Sequence, residues 1–383
     1  MIRRTCKLEF VMIIGVPKEI KEDEYRVGIV PSGVRLLEEH SHTVLIERGA
    51  GVGCQISDEE YADAGAIIVD SNVETYGRSE MIMKVKEPQD KEYSLLHEGQ
   101  ILYAFLHLAP AVELTQALLR TKVIGVAYET IQSRDGSLPL LVPMSEVAGK
   151  MAVQIGAHFL EKTQGGRGVL LGGVPGVRRG RVTILGAGTA GMASAKIAVG
   201  MGADVYVIDI DQNRLIHMDD IFGNRISTMI SNFDNIFYSV VNSHLVIGAV
   251  LIPGARAPRL VTRDMVRAMK PGTVIVDVAI DQGGCIETSR PTTHGNPTFV
   301  VDDVIHYCVP NIPGAVARTS TFALSNVTLP YALRLADEGF AGAVSRYRNL
   351  AKGVNVYKGF VTHEKVAQAL GHPHTPLSEV VGN

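Results

Sequence analysis

The chain has 383 residues, 46% of them hydrophobic and 20% charged, and a formal net charge of −3. That length allows two domains of ordinary size. The small net charge, without a dense Lys/Arg run, argues against nucleic acid or an anionic membrane as partner, and no apolar run reaches the roughly 20 residues a bilayer crossing needs.

Arg3, Arg4 and Lys7 precede an apolar stretch, but Glu9 interrupts it and Pro17-Lys18-Glu19 follows without a small-residue cleavage site. The pattern does not read as a signal peptide. Val11 to Val16 reads as the first strand, and the residues before Met12 as a disordered extension or an artefact of start-codon choice. Cys6, Cys54, Cys285 and Cys308 are scattered, with no pair at metal-ligand or redox spacing, which fits a reducing cytosol.

From the first strand the chain continues through a helix (SGVRLLEEH) and a strand (TVLIE), then a capped helix from Ser57. Strands AIIV, MIMKV and QILYAFLH follow, then helix AVELTQALLR and strand VIGVAYE. Short apolar runs alternating with amphipathic segments predict a parallel sheet with crossover helices. This first third contains no G-x-G-x-x-G and is expected to hold something other than a dinucleotide.

Three polar residues here fall at or beyond strand ends, where open parallel sheets bind ligands. Arg26, in KEDEYRVGIVP, has a planar fork suited to a carboxylate; the plainer reading is a surface arginine paired with Glu22 or Glu24. Lys86 follows Lys84 by two residues, so both share a sheet face. Two solvated lysines on an edge strand are the alternative. His107 ends an apolar run expected to be a buried central strand, where a lone histidine is more often structural than catalytic.

After the Pro139 and Pro143 turns, SEVAGKMAVQIGAHFLEK from Ser145 predicts a long buried helix crossing between domains. The glycine-dense TQGGRGVLLGGVPGVRRG lacks the G-K-[ST] ending of a Walker loop and reads as a hairpin arm. Then comes RVTILGAGTAGMASAKIAVGMGADVYVID: a strand, Gly186, Gly188 and Gly191, an Ala-rich helix, and a second strand ending on Asp209. Each part has a task in holding a dinucleotide. Gly186 allows the tight turn, Gly188 the approach of the pyrophosphate, and Gly191 close packing of helix on strand. The helix N-terminus faces the phosphates, and Asp209 accepts hydrogen bonds from the adenosine ribose. An acid there disfavours the 2′-phosphate of NADP, although Arg214 lies close enough in sequence to soften the preference.

Strands LVIGAV (Leu245 to Val250) and TVIVDVAID (Thr273 to Asp281) continue the rhythm. Asp281 lies just past the second, beside Gly283 and Gly284, where a carboxylate can assist proton transfer; a turn or cap aspartate is the default alternative. His294, His306 and Asp302-Asp303 form no metal-ligand spacing. In the tail, a helix starting near Thr319 contains Pro330, which is expected to kink it. The last ~65 residues are expected to return to the first domain. The whole predicts an α/β protein of two Rossmann-like, doubly wound parallel-sheet domains joined by long helices: residues 1–139 with 318–383, and residues 140–317.

From about Met12 to its end the chain resembles the alanine dehydrogenase family. The strings that carry the resemblance include IGVPKEIKEDEYRVGIVPSGV, MKVKEPQDKEY, GQILYAFLHLA, LPLLVPMSEVAGKMA, LGAGTAGMASAKIA, AIDQGGCIETSRPTTH and VPNIPGAVARTSTFALSN. The resemblance implies an NAD-dependent enzyme interconverting L-alanine with pyruvate and ammonia, without a catalytic metal, cytoplasmic and homohexameric. It implies Arg26 as the anchor of the substrate carboxylate and Lys86 as a contact to that carboxylate and the carbonyl oxygen. His107 and Asp281 become the catalytic pair, expected to face each other across a cleft. Ser145 and Asp209 become cofactor contacts, and Asn311 part of the loop near the nicotinamide. Ile312 stands where relatives commonly carry methionine, apolar but stiffer. Three rival readings are the NAD-binding subunit of a proton-translocating transhydrogenase, a lysine-pathway dehydrogenase and a non-catalytic NAD-binding scaffold.

Overall fold

The computed structural model describes residues 10–251 and 256–381. Most of the extension read before Met12, with Cys6 in it, lies outside the described residues, as does part of the LIPGARAP loop, residues 252–255. The chain divides into two compact units, residues 1–143 with 316–383, and residues 144–315.

The first unit opens with β1 (Ile13–Val16), α1 (Pro31–Glu39), β2 (Thr43–Glu47), α2 (Asp58–Asp63), β3 (Ile67–Val69), α3 (Asn72–Arg78) and β4 (Met81–Met83). It continues through β5 (Ile101–Ala104), α4 (Val112–Thr121) and β6 (Ile124–Ala127). Local chemistry sets the helix starts. Pro31 supplies the preset φ of a first turn to α1, and Ser57 with Glu60 forms a reciprocal capping box on α2. Every residue of β4, β5 and β6 is buried, as parallel strands covered on both faces require.

The long helix α5 (Val142–Phe159) leads into the second unit. There follow β7 (Arg181–Leu185), α6 (Thr189–Gly200), β8 (Asp204–Asp209), α7 (Gln212–Phe222), β9 (Ile226–Ile230) and α8 (Phe233–Val241). The unit is completed by β10 (Leu245–Gly248), α9 (Arg263–Ala268), β11 (Val274–Asp277), β12 (Thr298–Val301) and β13 (Val304–Tyr307). The chain then returns to the first unit through α10 (Ala317–Arg346), β14 (Val354–Tyr357) and β15 (Phe360–Val361).

The eight-stranded sheet runs β15-β14-β6-β5-β4-β1-β2-β3 and the seven-stranded sheet β12-β13-β11-β10-β7-β8-β9. Read from β3, the first sheet follows the doubly wound 3-2-1-4-5-6 order; read from β9, the second follows 3-2-1-4-5 and then places β13 inside β12, with topological switches at β1/β4 and at β7/β10. Both sheets are parallel until their last strands. β14 joins β6 antiparallel and β12 joins β13 antiparallel, so each is a mixed sheet with one antiparallel edge.

Several boundaries differ from the sequence reading. The helix α3, capped by the Ser71 hydroxyl at Glu74 N, falls where two strands were read in succession. The helix α5 starts at Val142 and not Ser145, and α10 at Ala317 and not Thr319. The hairpin arm reduces to one antiparallel bridge, Val174 to Val177, because a segment so rich in glycine pairs little backbone. The break in α10 sits not at Pro330, where the backbone stays helical, but at Gly339, whose φ of 65° suits glycine.

Candidate active site

In the first unit, the polar groups singled out in the sequence all lie beyond the carboxyl ends of strands: Arg26 after β1, Lys86 after β4 and His107 after β5. The first two loops flank the β1/β4 switch, the place where open sheets form a ligand crevice.

Arg26 is not a surface residue. It is 2% exposed, and the Glu24 carboxylate accepts from its Nε at 2.7 Å and its Nη2 at 2.5 Å. Of the two acids the sequence offers as partners, Glu24 makes the pair, and it does so in the interior. Burial alone would raise the Glu24 carboxyl, but the hydrogen bonds and charge of Arg26 outweigh it and hold that carboxyl below the usual range. Lys86 contributes to this lowering as well, so it lies within electrostatic reach of the pair.

The two lysines of MKVKEP do not share an environment. The strand ends at Met83, so alternation no longer applies beyond it, and β4 is central rather than an edge. Lys84 is completely buried, its Nζ 3.1 Å from Glu19 and 2.9 Å from Glu92. Burial would strip its proton, but these two carboxylates hold its pKa above the usual lysine range. Tyr76 donates to Glu92, and the other Glu19 oxygen accepts from the backbone N of Val85 at 2.6 Å and of Lys86 at 3.3 Å. A closed ionic network thus holds the backbone that carries the half-buried Lys86. Sequence reading missed Glu19 and Glu92; the lysine-rich strand end was the available signal.

His107 is not in the strand either. β5 stops at Ala104, and His107 is exposed with a left-handed φ of 47°. Its neighbours Leu106 and Leu108 are buried, so the turn anchors both sides and projects the imidazole. The ring lies parallel to Phe105, centroids 5.7 Å apart.

In the second unit the glycine loop joins β7 to α6 at the β7/β10 switch. Gly186 has a φ of 105°, and a Cβ there would sit 2.7 Å from the Ala249 carbonyl oxygen. A Cβ on Gly191 would lie 1.8 Å from the Gly186 carbonyl oxygen, so helix and loop fit only without a side chain. At Gly188 the nearest atom would be Arg214 Nη1, at 4.0 Å: this position faces open space. Gly188 is also the residue preceding α6, and no side chain caps it. An uncapped helix start beside open space fits a pyrophosphate.

Asp209, at the end of β8, is 7% exposed; one carboxylate oxygen accepts from Ala187 N at 2.6 Å and the other from Asp211 N at 2.8 Å. Arg214, largely exposed, lies 3.9 Å from Asp209 and 3.5 Å from Asp211. Ser145 is half-buried in the first turn of α5.

Asp281 sits on a short 3-10 turn, Val278–Gln282, after β11, and is exposed. The cap role weighed for it belongs to Asp277. That residue is fully buried and accepts from Ala279 N, Cys285 N and Ile286 N, closing the loop over Gly283 and Gly284, both at positive φ. Burial pushes the Asp277 carboxyl above its usual range, against the hydrogen bonds it accepts. Asn311, at φ 74°, is half-buried; its carbonyl oxygen accepts from Gly314 N at 2.9 Å and lies 3.1 Å from His294 Nε2. The following Ile312 is 3% exposed and packs into the core of this unit, so its stiff side chain serves as an anchor. Among the described residues, no group of three or more His, Cys, Asp or Glu is arranged to hold a metal ion, and no helix is long and apolar enough to cross a membrane.

One sheet with a phosphate-ready glycine loop, and a second with cationic groups at its switch point, define a two-unit dinucleotide-dependent α/β protein. The chain belongs to the alanine dehydrogenase/PNT family: its N-terminal domain profile matches residues 15–148 and its C-terminal domain profile residues 152–364. An alanine dehydrogenase of Methanococcus maripaludis is 56% identical over 371 residues, 97% of this chain and 100% of that protein. A solved L-alanine dehydrogenase superposes with a TM-score of 0.92 at 51% identity, covering 94% of this chain and 99% of that one. A transhydrogenase from Sinorhizobium meliloti shares the fold, with a TM-score of 0.80 at 24% identity over 91% of this chain and 99% of that one.

Proposed function

We propose that this chain is an NAD-dependent L-alanine dehydrogenase, converting L-alanine reversibly to pyruvate and ammonia. The observation that carries this reading is the cationic set of the first unit. A sheet with no glycine loop presents Arg26 and Lys86 at its β1/β4 switch and His107 at the next strand end. Such groups suit a small carboxylate and a proton transfer. A transhydrogenase subunit has no need of an amino-acid pocket, and a mere NAD scaffold no need of any of the three.

Arg26 and Lys86 bind the substrate carboxylate, with Lys86 also polarising the carbonyl oxygen. His107 accepts and returns the proton as water adds and ammonia departs. Asp281 stabilises the positive charge that develops during these steps. NAD, held by Gly186, Gly188, Gly191, Asp209, Arg214 and Ser145, supplies the hydride acceptor when bound. Asn311 shapes the loop on the nicotinamide side. Residues 1–139 with 318–383 form the substrate domain and residues 140–317 the NAD domain. The protein works in the cytoplasm as a homo-oligomer, a hexamer by family likeness.

NADH formation by the isolated protein across a panel of amino acids tests the proposal. Strong turnover with L-alanine is expected; none, or a preference for a lysine adduct, would replace it with one of the rival readings.

A further inference from the structure

His107 owes its position to a backbone conformation that a histidine rarely adopts. Left-handed dihedrals at a non-glycine residue are unfavourable and persist where surroundings impose them. The surroundings here include one side chain. Glu129 accepts from His107 N at 2.7 Å, and both of its oxygens lie 3.3 Å from Leu106 N. It sits on the short turn Tyr128–Thr130 that follows β6, and β5 and β6 are paired up to Ala104 and Ala127. Just past the last paired residues, the carboxylate therefore takes over where sheet pairing stops. Its own turn is anchored: Thr130 Oγ1 donates to Asn355 Oδ1 at 2.8 Å, tying it to β14. Tyr128, fully buried, packs edge-on against Phe105, the ring on which His107 lies parallel. Backbone and ring of His107 are thus both set from the turn after β6.

We propose that Glu129 is the positioning residue for His107, holding by two backbone N–H groups the left-handed turn that projects the imidazole. This rests on His107 being the proton-transfer group. A carboxylate accepting consecutive backbone donors makes charge-assisted hydrogen bonds, the stronger kind. Removing it leaves the turn without the acceptor that offsets its strain, and an imidazole displaced by an ångström loses much of its rate advantage.

The test is a double-mutant cycle between Glu129→Ala and His107→Ala, with kcat in both directions, KM for alanine, NADH affinity and melting temperature measured for each. Glu129→Ala is expected to lower kcat roughly 10–100-fold while NADH affinity stays unchanged. In the His107→Ala background the same change should cost almost nothing further, because the two act as a unit. Glu129→Gln, which keeps an acceptor oxygen, should recover kcat to within several-fold of the parent. If Glu129→Ala does not fold, Glu129→Asp takes its place, since it withdraws the oxygens by one methylene. Native-like turnover in His107→Ala would remove the reading beneath the proposal. A folded Glu129 variant with intact kcat, equal losses in both backgrounds, or no recovery by Gln would each overturn the positioning role itself.

Discussion

Arg26 and Glu24 form a buried ion pair in which one edge of the guanidinium, Nε and Nη2, is taken by both oxygens of the carboxylate. The pair is locally neutral. In the proposed site, a substrate carboxylate approaching Arg26 would meet an oriented set of donors with little net charge, and Lys86 would supply the cation. Geometry would thus come from the arginine and charge from the lysine.

That division sets different outcomes for the two substitutions. Arg26→Lys keeps the charge but cannot span both Glu24 oxygens and a substrate at once. It should raise KM for pyruvate roughly 10–100-fold, the equivalent of one or two charged hydrogen bonds, and lower the melting temperature as well. Lys86→Ala should raise KM for pyruvate without lowering NADH affinity. Unchanged pyruvate kinetics in both variants would mean that the carboxylate binds elsewhere.

The same pair predicts a pH-dependent stability. The folded-state Glu24 carboxyl lies below the usual range, so its contribution is fully present above the unfolded value of about 4.3 and is lost as pH falls through the lower folded value. The melting-temperature gap between the parent and Glu24→Gln should be widest near neutral pH and close progressively in acid. A gap that stays constant across that range would show that Glu24 acts by packing and not by charge.

The doubly wound order was legible because it rests on period and punctuation: apolar strands, Ser57 as a cap, and glycines at fixed spacing before α6. What escaped depended on distant chain. Lys84 and Lys86 look alike in MKVKEP, and only Glu19 and Glu92, 65 and 8 residues away, make one an interior ion and leave the other near solvent. His107 looked like a strand residue because LYAFLH is continuously apolar, whereas the strand ends three residues earlier. Asp277 and Asp281 were separable only once the loop hydrogen bonds were known. The substrate-side roles came from family likeness, since isolated Arg, Lys and His residues carry no spacing code.

Gly191 and Gly188 of the β7–α6 loop should fail in different ways. Gly191→Ala forces a methyl against the Gly186 carbonyl at a distance no packing tolerates, so the second unit should lose several degrees in melting temperature and its NADH binding together. Gly188→Ala meets nothing closer than the guanidinium of Arg214, at 4.0 Å. It should melt like the parent yet bind NADH at least tenfold more weakly, because the space it fills is the space a pyrophosphate needs. Thermal shift with and without NADH separates the two. Equal NADH affinity in Gly188→Ala would place the phosphates elsewhere.

Cofactor choice should follow Asp209. Its oxygens already hold the glycine loop through Ala187 N and the next turn through Asp211 N, so its carboxylate is fixed in place and, in the proposed role, could not swing away from a 2′-phosphate. NAD should exceed NADP by more than tenfold in kcat/KM at saturating alanine. Arg214 is tied to Asp211 and Asp209, and Asp211→Ala, by releasing it, should narrow the gap from the NADP side. Equal efficiency with the two cofactors in the parent protein would sink the role given to Asp209.

His107 and Asp281 should be indispensable for chemistry and dispensable for folding. Both are exposed, and the work of holding their loops falls to other carboxylates, Glu129 for the first and Asp277 for the second. Removing either side chain therefore leaves its turn intact. His107→Ala should lower kcat by about 10²–10⁴ in both directions, the usual worth of a positioned acid–base group, with NADH affinity and melting temperature near those of the parent. Asp281→Asn is isosteric and removes only charge, so a comparable loss of kcat would report electrostatic stabilisation of the cationic species in the reaction. Asp277→Asn, by contrast, should lower the melting temperature first, since its carboxylate accepts from three backbone N–H groups of the loop. A folded Asp281→Asn enzyme with near-native turnover would refute the charge role outright.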